Sequence, residues 1–186
     1  MIALGCDPGQ SAGAVVTLDT ARRVVTLAAE WQVMRRKSGD VHRWRVQREG
    51  CDVVEQVTAA DRPFAFAEAI GLWPTPKAAA VEGIVWQGKG GPSTITLAES
   101  AGRAVEWLRA LGIDPLRPTA REWRRVVLGL PHTTDAAAAE RAALLACERG
   151  HLPKLPSGID SGHAAEACAI AWWAGLSVVR QIKRAG

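Results

Sequence analysis

The sequence predicts a mixed α/β layer fold, a sheet with helices packed on it. Two observations carry that expectation. The first thirty residues alternate β-rich runs with turn chemistry, and the rest of the chain alternates helical segments with short strand candidates.

Residues 1–6 read as the first strand, closed by Asp7-Pro8-Gly9. Residues 13–18 and, after a charged turn at Arg22-Arg23, residues 24–31 add two more, giving an antiparallel three-strand meander. Residues 35–40 are charged and contain glycine, an exposed connection into a helix expected over 42–60. Residues 64–70 fit helix and strand equally well, and Trp73-Pro74-Thr75-Pro76 is loop. Residues 78–82 are a short apolar run ending in an acid, as in a buried strand whose last residue emerges at the sheet edge. After a loop over 83–92, Ser93 resembles a helix N-cap, and its helix continues through Trp107 to Leu111 before Gly112 stops it. A further strand is expected at 114–117. Thr119 is placed to cap a helix carrying Trp123, Arg124 and Arg125. Residues 134–149 are helical by propensity, and a last helix runs from near Asp160 to about Arg180.

At 186 residues and 48% hydrophobic content, the chain is expected to form one domain over 1–186. Its net charge of +4 comes partly from the clusters Arg35-Arg36-Lys37 and 121–125, which favours a polyanionic partner. The cysteines at 6, 51, 147 and 168 form no C-x-x-C pair and have no histidine at zinc-finger spacing, so they read as reduced and mostly core. No secretory leader pattern and no charge-free run of membrane-spanning length occurs, so a soluble, cytoplasmic protein is expected.

Asp7, Glu82 and Glu166 each fall at the end or start of a regular element, where side chains from distant segments converge. His163 precedes Glu166 by three residues and shares its helical face, with Asp160 one turn earlier. Gathered carboxylates repel one another, and a divalent cation relieves that repulsion. Magnesium with oxygen ligands suits phosphate chemistry, and a pair of ions supports phosphodiester hydrolysis. Each residue also has an ordinary alternative: a β-turn at Asp7-Pro8-Gly9, a surface acid at Glu82, a helix cap at Asp160, a solvated His163.

Together these segments resemble the RuvC-type Holliday-junction resolvases, bacterial and phage, of the RNase H-like superfamily. The residues that carry the resemblance are Leu4-Gly5-Cys6-Asp7-Pro8-Gly9 with Ser11-Ala12-Gly13, Ala80-Val81-Glu82-Gly83, the segment 93–102, the basic segment 118–125, and the helix segment 163–171. The resemblance implies a mixed five-stranded sheet, three antiparallel strands first and then parallel ones, flanked by helices. It implies Asp7, Glu82, His163 and Glu166 as catalytic, metal-holding positions, with Asp160 a further candidate ligand and two Mg²⁺ or Mn²⁺ ions per site. His163 and Glu166 stand where the commonest family pattern has two aspartates. The implied activity is structure-selective cleavage of Holliday junctions or other branched DNA by a homodimer, in recombination and repair within a bacterial cell or phage-infected host. The alternatives are an RNase H-like nuclease acting on flaps, single strands or RNA–DNA hybrid, and an inactive protein that only binds branched DNA.

The candidate DNA contacts are Trp86, Lys89, Ser93, Thr94, Arg103, Arg121, Arg124 and Arg125. Phosphate neutralisation by the basic members would make affinity fall steeply with salt. Trp86 is placed to stack at the junction or to pack under its own loop. Arg35, Arg36, Lys37, Arg43 and Arg45 read as a solvated charged face. The segment 83–89 nearly spells a phosphate-binding loop, but Gly90 follows Lys89 where a hydroxyl residue would hold magnesium, which rejects that reading. The actin-like ATPases, which also open with Asp and glycines, duplicate the fold in a much longer chain.

Overall fold

The structure is a computed structural model that describes residues 1–9, 11–34, 37, 41–52, 54–59, 75–84, 92–131 and 134–185. The expected meander is present as β1 (Ile2–Asp7), β2 (Ala12–Asp19) and β3 (Val24–Met34), each antiparallel to the next. Asp19 Oδ1 accepts hydrogen bonds from the Ala21 and Arg22 N–H groups, and Arg23 takes φ 56° to close the β2–β3 turn.

The helix expected over 42–60 is not formed. The segment makes two strands, β4 (Val41–Arg48), antiparallel to β3, and β5 (Val54–Ala59), antiparallel to β4. The physical reason is a period of two: His42, Trp44 and Val46 are buried while Arg43 is exposed and Arg45 half-buried, and Gly50 turns the chain at φ 76°. Trp44 then packs on Trp31, ring centroids 4.9 Å apart.

Strand β6 (Ala78–Val81) pairs parallel with β1 on its far side, giving the sheet order β5-β4-β3-β2-β1-β6. The strand expected at 114–117 is reduced to parallel bridges, Ala80 to Leu116 and Gly83 to Thr119, on the outer edge of β6. That edge is held by Leu116 N–H donating to Ala79 at 2.8 Å and Gly83 N–H donating to Pro118 at 2.7 Å. The lanes β3-β2-β1-β6 plus the bridged segment are the mixed five-stranded α/β core that was expected, and β4 and β5 extend it.

Four helices complete the described chain: α1 (Pro92–Ala110), α2 (Ala120–Trp123), α3 (Ala136–Glu148) and α4 (Gly162–Ala185). A π-helical turn, Arg124–Leu128, continues α2. Helix α1 begins at Pro92, which suits a first helical position, so Ser93 lies inside the first turn rather than at the cap. Asp135 caps α3 through Ala138 N–H at 2.8 Å, and Ser161, not Asp160, caps α4 through Ala164 N–H at 3.1 Å.

Each sheet face has its own core. Helix α1 buries Ala101, Ala104, Val105 and Leu108 against Leu4, Cys6 and Val15, while α4 buries Ala164, Ala167, Cys168 and Ala171 against Ala3, Ala14 and Val16. Small residues let α4 approach closely. A Cβ on Gly5 would lie 2.1 Å from the Ala167 carbonyl oxygen and 2.3 Å from Ala171 N. That contact fixes the start of α4 over the end of β1. Cys6, Cys147 and Cys168 are buried free thiols and Cys51 is an exposed one. Among the described residues no helix is long and apolar enough to cross a membrane.

Candidate active site

Asp7 is the last residue of β1, on the face that α4 covers. The parallel register sets Cys6 beside Val81, and Glu82 N–H donates to the Cys6 carbonyl at 3.1 Å, so Glu82 leaves β6 next to Asp7. From above, the first turns of α4 bring His163 and Glu166 down on one helical face. His163 Nδ1 and Asp7 Oδ2 share a hydrogen bond of 2.6 Å. Asp7, His163 and Glu166 each offer a ligand atom, and these atoms lie within 4.8 Å of one another. Two carboxylates and an imidazole at that spacing suit a divalent cation that accepts oxygen and nitrogen ligands.

Arg124 reaches into the same group. Its Nη2 donates to Glu166 Oε1 at 2.9 Å, its guanidinium lies 5.2 Å from the ring of the fully buried Trp123, and its Nε is buried without a hydrogen-bond partner. Burial, then the charge of Asp7, pushes the Glu166 carboxyl up to about 8 despite the opposing Arg124. The same two causes push Glu82 up to about 7, against Arg124, Trp123 and His163. The Trp123 N–H makes no regular hydrogen bond, yet its nearness to Glu82 favours the ionised acid. His163 is raised, first by its hydrogen bond to Asp7. Carboxyls that hold protons near neutral pH mark a cluster with less positive charge than its acids call for.

No family model and no curated protein sequence matches this chain. Solved structures do. The chain is similar to the Thermus thermophilus RuvC structure, with a TM-score of 0.52, 97% of each chain covered and 16% identity. It is similar to T. thermophilus RuvC in complex with a Holliday junction substrate, with a TM-score of 0.52, 96% of this chain and 94% of that one covered, and 14% identity. The fold is RuvC-like.

In this RuvC-like frame, two clefts flank the acidic cluster. One is lined by Glu82, Thr119, Arg121, Glu122 and Arg124, the other by Glu30, Gln32, Arg43, Arg45, Asp160 and His163. Asp160 stands apart from the ligand group: its side chain is 86% exposed and reaches Arg45 at 3.7 Å. Among the other expected contact residues, Arg121 and Arg125 are exposed beside the cluster's π-helical turn, and Thr94 and Arg103 ride on α1 against the opposite sheet face. Ser93 sits in the first turn of α1. Trp86, Lys89, Arg35 and Arg36 lie outside the described residues. Arg124, expected to contact DNA, is paired with Glu166 among the acids. Arg45, read as part of a solvated face, borders the site, and the period-two pattern of 41–48 was the signal for it.

Proposed function

We propose that this chain is a metal-dependent, structure-selective endodeoxyribonuclease, one domain that acts as a homodimer on Holliday junctions or related branched DNA in the bacterial or phage-infected cytoplasm. The observation that supports the reading is the gathering of Asp7, His163 and Glu166 within ligand distance at the end of β1 and the start of α4, with Glu82 leaving β6 beside Asp7. The RuvC-like fold supports it, as does the Holliday junction held by one similar protein.

Asp7, Glu82, His163 and Glu166 would hold two Mg²⁺ or Mn²⁺ ions, which supply a Lewis acid for the phosphoryl oxygens and an activated water. The chain's own part is positioning. Asp7 Oδ2 fixes the His163 ring through Nδ1, so the imidazole meets the substrate side of the site in one orientation. Arg124 brings a buried positive charge to the place where negative charge grows as the phosphodiester is attacked. Arg121 and Arg125 add phosphate contacts at the rim.

The test is incubation of the purified protein with a synthetic four-way junction and Mg²⁺, beside linear duplex, flap, single-stranded and RNA–DNA hybrid controls. Junction cleavage is expected to exceed that of linear duplex, and Asp7→Asn to lower it by more than about a hundredfold, since even partners of metal ligands are worth 10- to 100-fold. Undiminished cleavage by the variant would falsify the site.

A further inference from the structure

The sheet carries a charged row beyond the catalytic cluster. Asp7 pairs with Ala14, Ala14 with Glu30, and Glu30 with Arg45, so these four lie in one transverse line on the α4 side of the sheet. Helix α4 lies mainly across β1, β2 and β6, and past its edge the α4-side face of β3 and β4 becomes the floor of a cleft of roughly 670 Å³ that runs up to His163. A volume of that order suits a nucleotide-sized occupant.

Its polar groups are built rather than incidental. Glu30 is 8% exposed, and its Oε1 takes Arg45 Nη1 at 2.9 Å, while Oε2 is buried without a partner. The buried carboxylate anchors the guanidinium at the cleft. Arg45 Nε and Nη2 make no hydrogen bond among the described residues, and its side chain is 35% exposed. Arg43, two residues along the same strand, faces the same cleft. Asp160, at the rim, is a weak competitor for Arg45 at 3.7 Å.

We propose that this cleft carries the sugar-phosphate backbone of the substrate strand on one side of the cut, with Arg45 and Arg43 on its phosphates. A guanidinium held by one nitrogen keeps two further donors in the fork geometry that phosphate oxygens accept. Incoming phosphate displaces Asp160, whose carboxylate otherwise screens Arg45. The inference rests on the nuclease reading and adds a substrate track on β4, a strand outside the five-lane core.

The experiment measures equilibrium binding of a four-way junction in EDTA, where hydrolysis is stopped, across a salt series. Arg43→Ala and Arg45→Gln are expected to weaken binding about tenfold each and to lower the slope of log K against log salt by about one. Asp160→Asn is expected to act oppositely, tightening binding two- to threefold, on the order of one surface ion pair released. Arg45→Gln leaves Glu30 unpartnered and its fold is checked by melting. Arg43 and Asp160 are exposed, so those two variants carry the test even if it melts early. Wild-type junction binding with Arg43→Ala and Asp160→Asn both unchanged overturns the cleft alone and leaves the nuclease reading standing. A wild-type protein that neither binds nor cuts branched DNA overturns both.

Discussion

Arg124 and Glu166 meet through a charge-assisted hydrogen bond of 2.9 Å, with side chains 15% and 5% exposed, inside the group of acids that the fold assembles. The guanidinium partly offsets the crowded carboxylates in the place where a divalent cation would do so more fully. The two positive charges therefore compete. Arg124→Gln is expected to tighten Mn²⁺ binding about tenfold, the size of one like-charge repulsion at short range in a partly buried site. It should also lower junction cleavage, because the same charge faces the developing phosphate. Calorimetric titration of Mn²⁺ reads the first effect and single-turnover cleavage the second. Equal or weaker metal binding in the variant would count against the competition.

The raised carboxyls set a pH dependence with a definite sign. Glu82 and Glu166 are held at about 7 and about 8, whereas in the unfolded chain they ionise near 4.5. Between those values the folded protein keeps protons that the unfolded chain has released, so stability is fullest below about pH 4.5 for these groups and is lost as pH rises through 7 and 8. His163 is also raised, and its contribution is lost in the same direction as pH rises through its folded value. In EDTA the melting temperature is therefore expected to fall by several degrees between about pH 5 and pH 8.5, apart from any separate acid unfolding. Added Mg²⁺ should restore stability most at the alkaline end, where the ligands are ionised. A melting temperature flat over that range, with and without metal, would contradict the burial that causes the shifts.

Much of this site was legible in the sequence because strand ends and helix faces follow short periods. Asp7 and Glu82 each terminate an apolar run, and parallel pairing of β1 with β6 makes two run-ends neighbours without any further information. His163 and Glu166 share a face by helical spacing alone. The strands at 41–59 were missed because Arg, Gln and Glu there have good helix propensity, which hid the alternation of His42, Trp44 and Val46 with Arg43 and Arg45. With the strands went the cleft that Glu30 and Arg45 build. Arg124 was named as a DNA contact, but its pairing with Glu166 was not foreseen, because a basic residue beside Arg125 reads as surface. Only the buried Trp123 and the widened π-helical turn after it aim that side chain inward.

Thr119 shows how a cap reaches the chemistry. Its Oγ1 accepts from Glu122 N–H at 3.3 Å, while Glu122 Oε2 accepts from Thr119 N–H at 2.7 Å, closing a capping box at the head of the helix that presents Trp123 and Arg124. Thr119→Ala is expected to cost about 1 kcal/mol, or a fall in melting temperature of about 2–4 °C for a chain of this size. Thr119→Ser retains the hydroxyl and should recover most of it. Because the helix also aims Arg124, the alanine variant should lose cleavage beyond what its stability explains, measured well below its melting temperature. Full activity there would separate the cap from the site.

Gly5 offers no ligand atom yet governs the placing of two residues that do. The α4 backbone crosses β1 at this glycine so closely that a single added carbon would sit 2.1 Å from the Ala167 oxygen, a contact with rigid main chain on both sides. Relief requires moving the helix, since neither partner has a flexible side chain to withdraw. Glu166 adjoins Ala167 at that crossing and His163 lies one turn before it, so the helix cannot lift without pulling both away from Asp7. Gly5→Ala is therefore expected to cost about 3 kcal/mol or more, at the upper end for overpacking, and to lose cleavage even where the protein remains folded. Alanine is the mildest possible insertion, so a control at Gly102 on α1, where an added Cβ meets nothing within 4 Å, should be silent or slightly stabilising. Thermal melting and Mn²⁺ titration of the two variants together check the account: a Gly5→Ala protein that binds metal like the wild type would mean that α4 is not held at its distance by this contact.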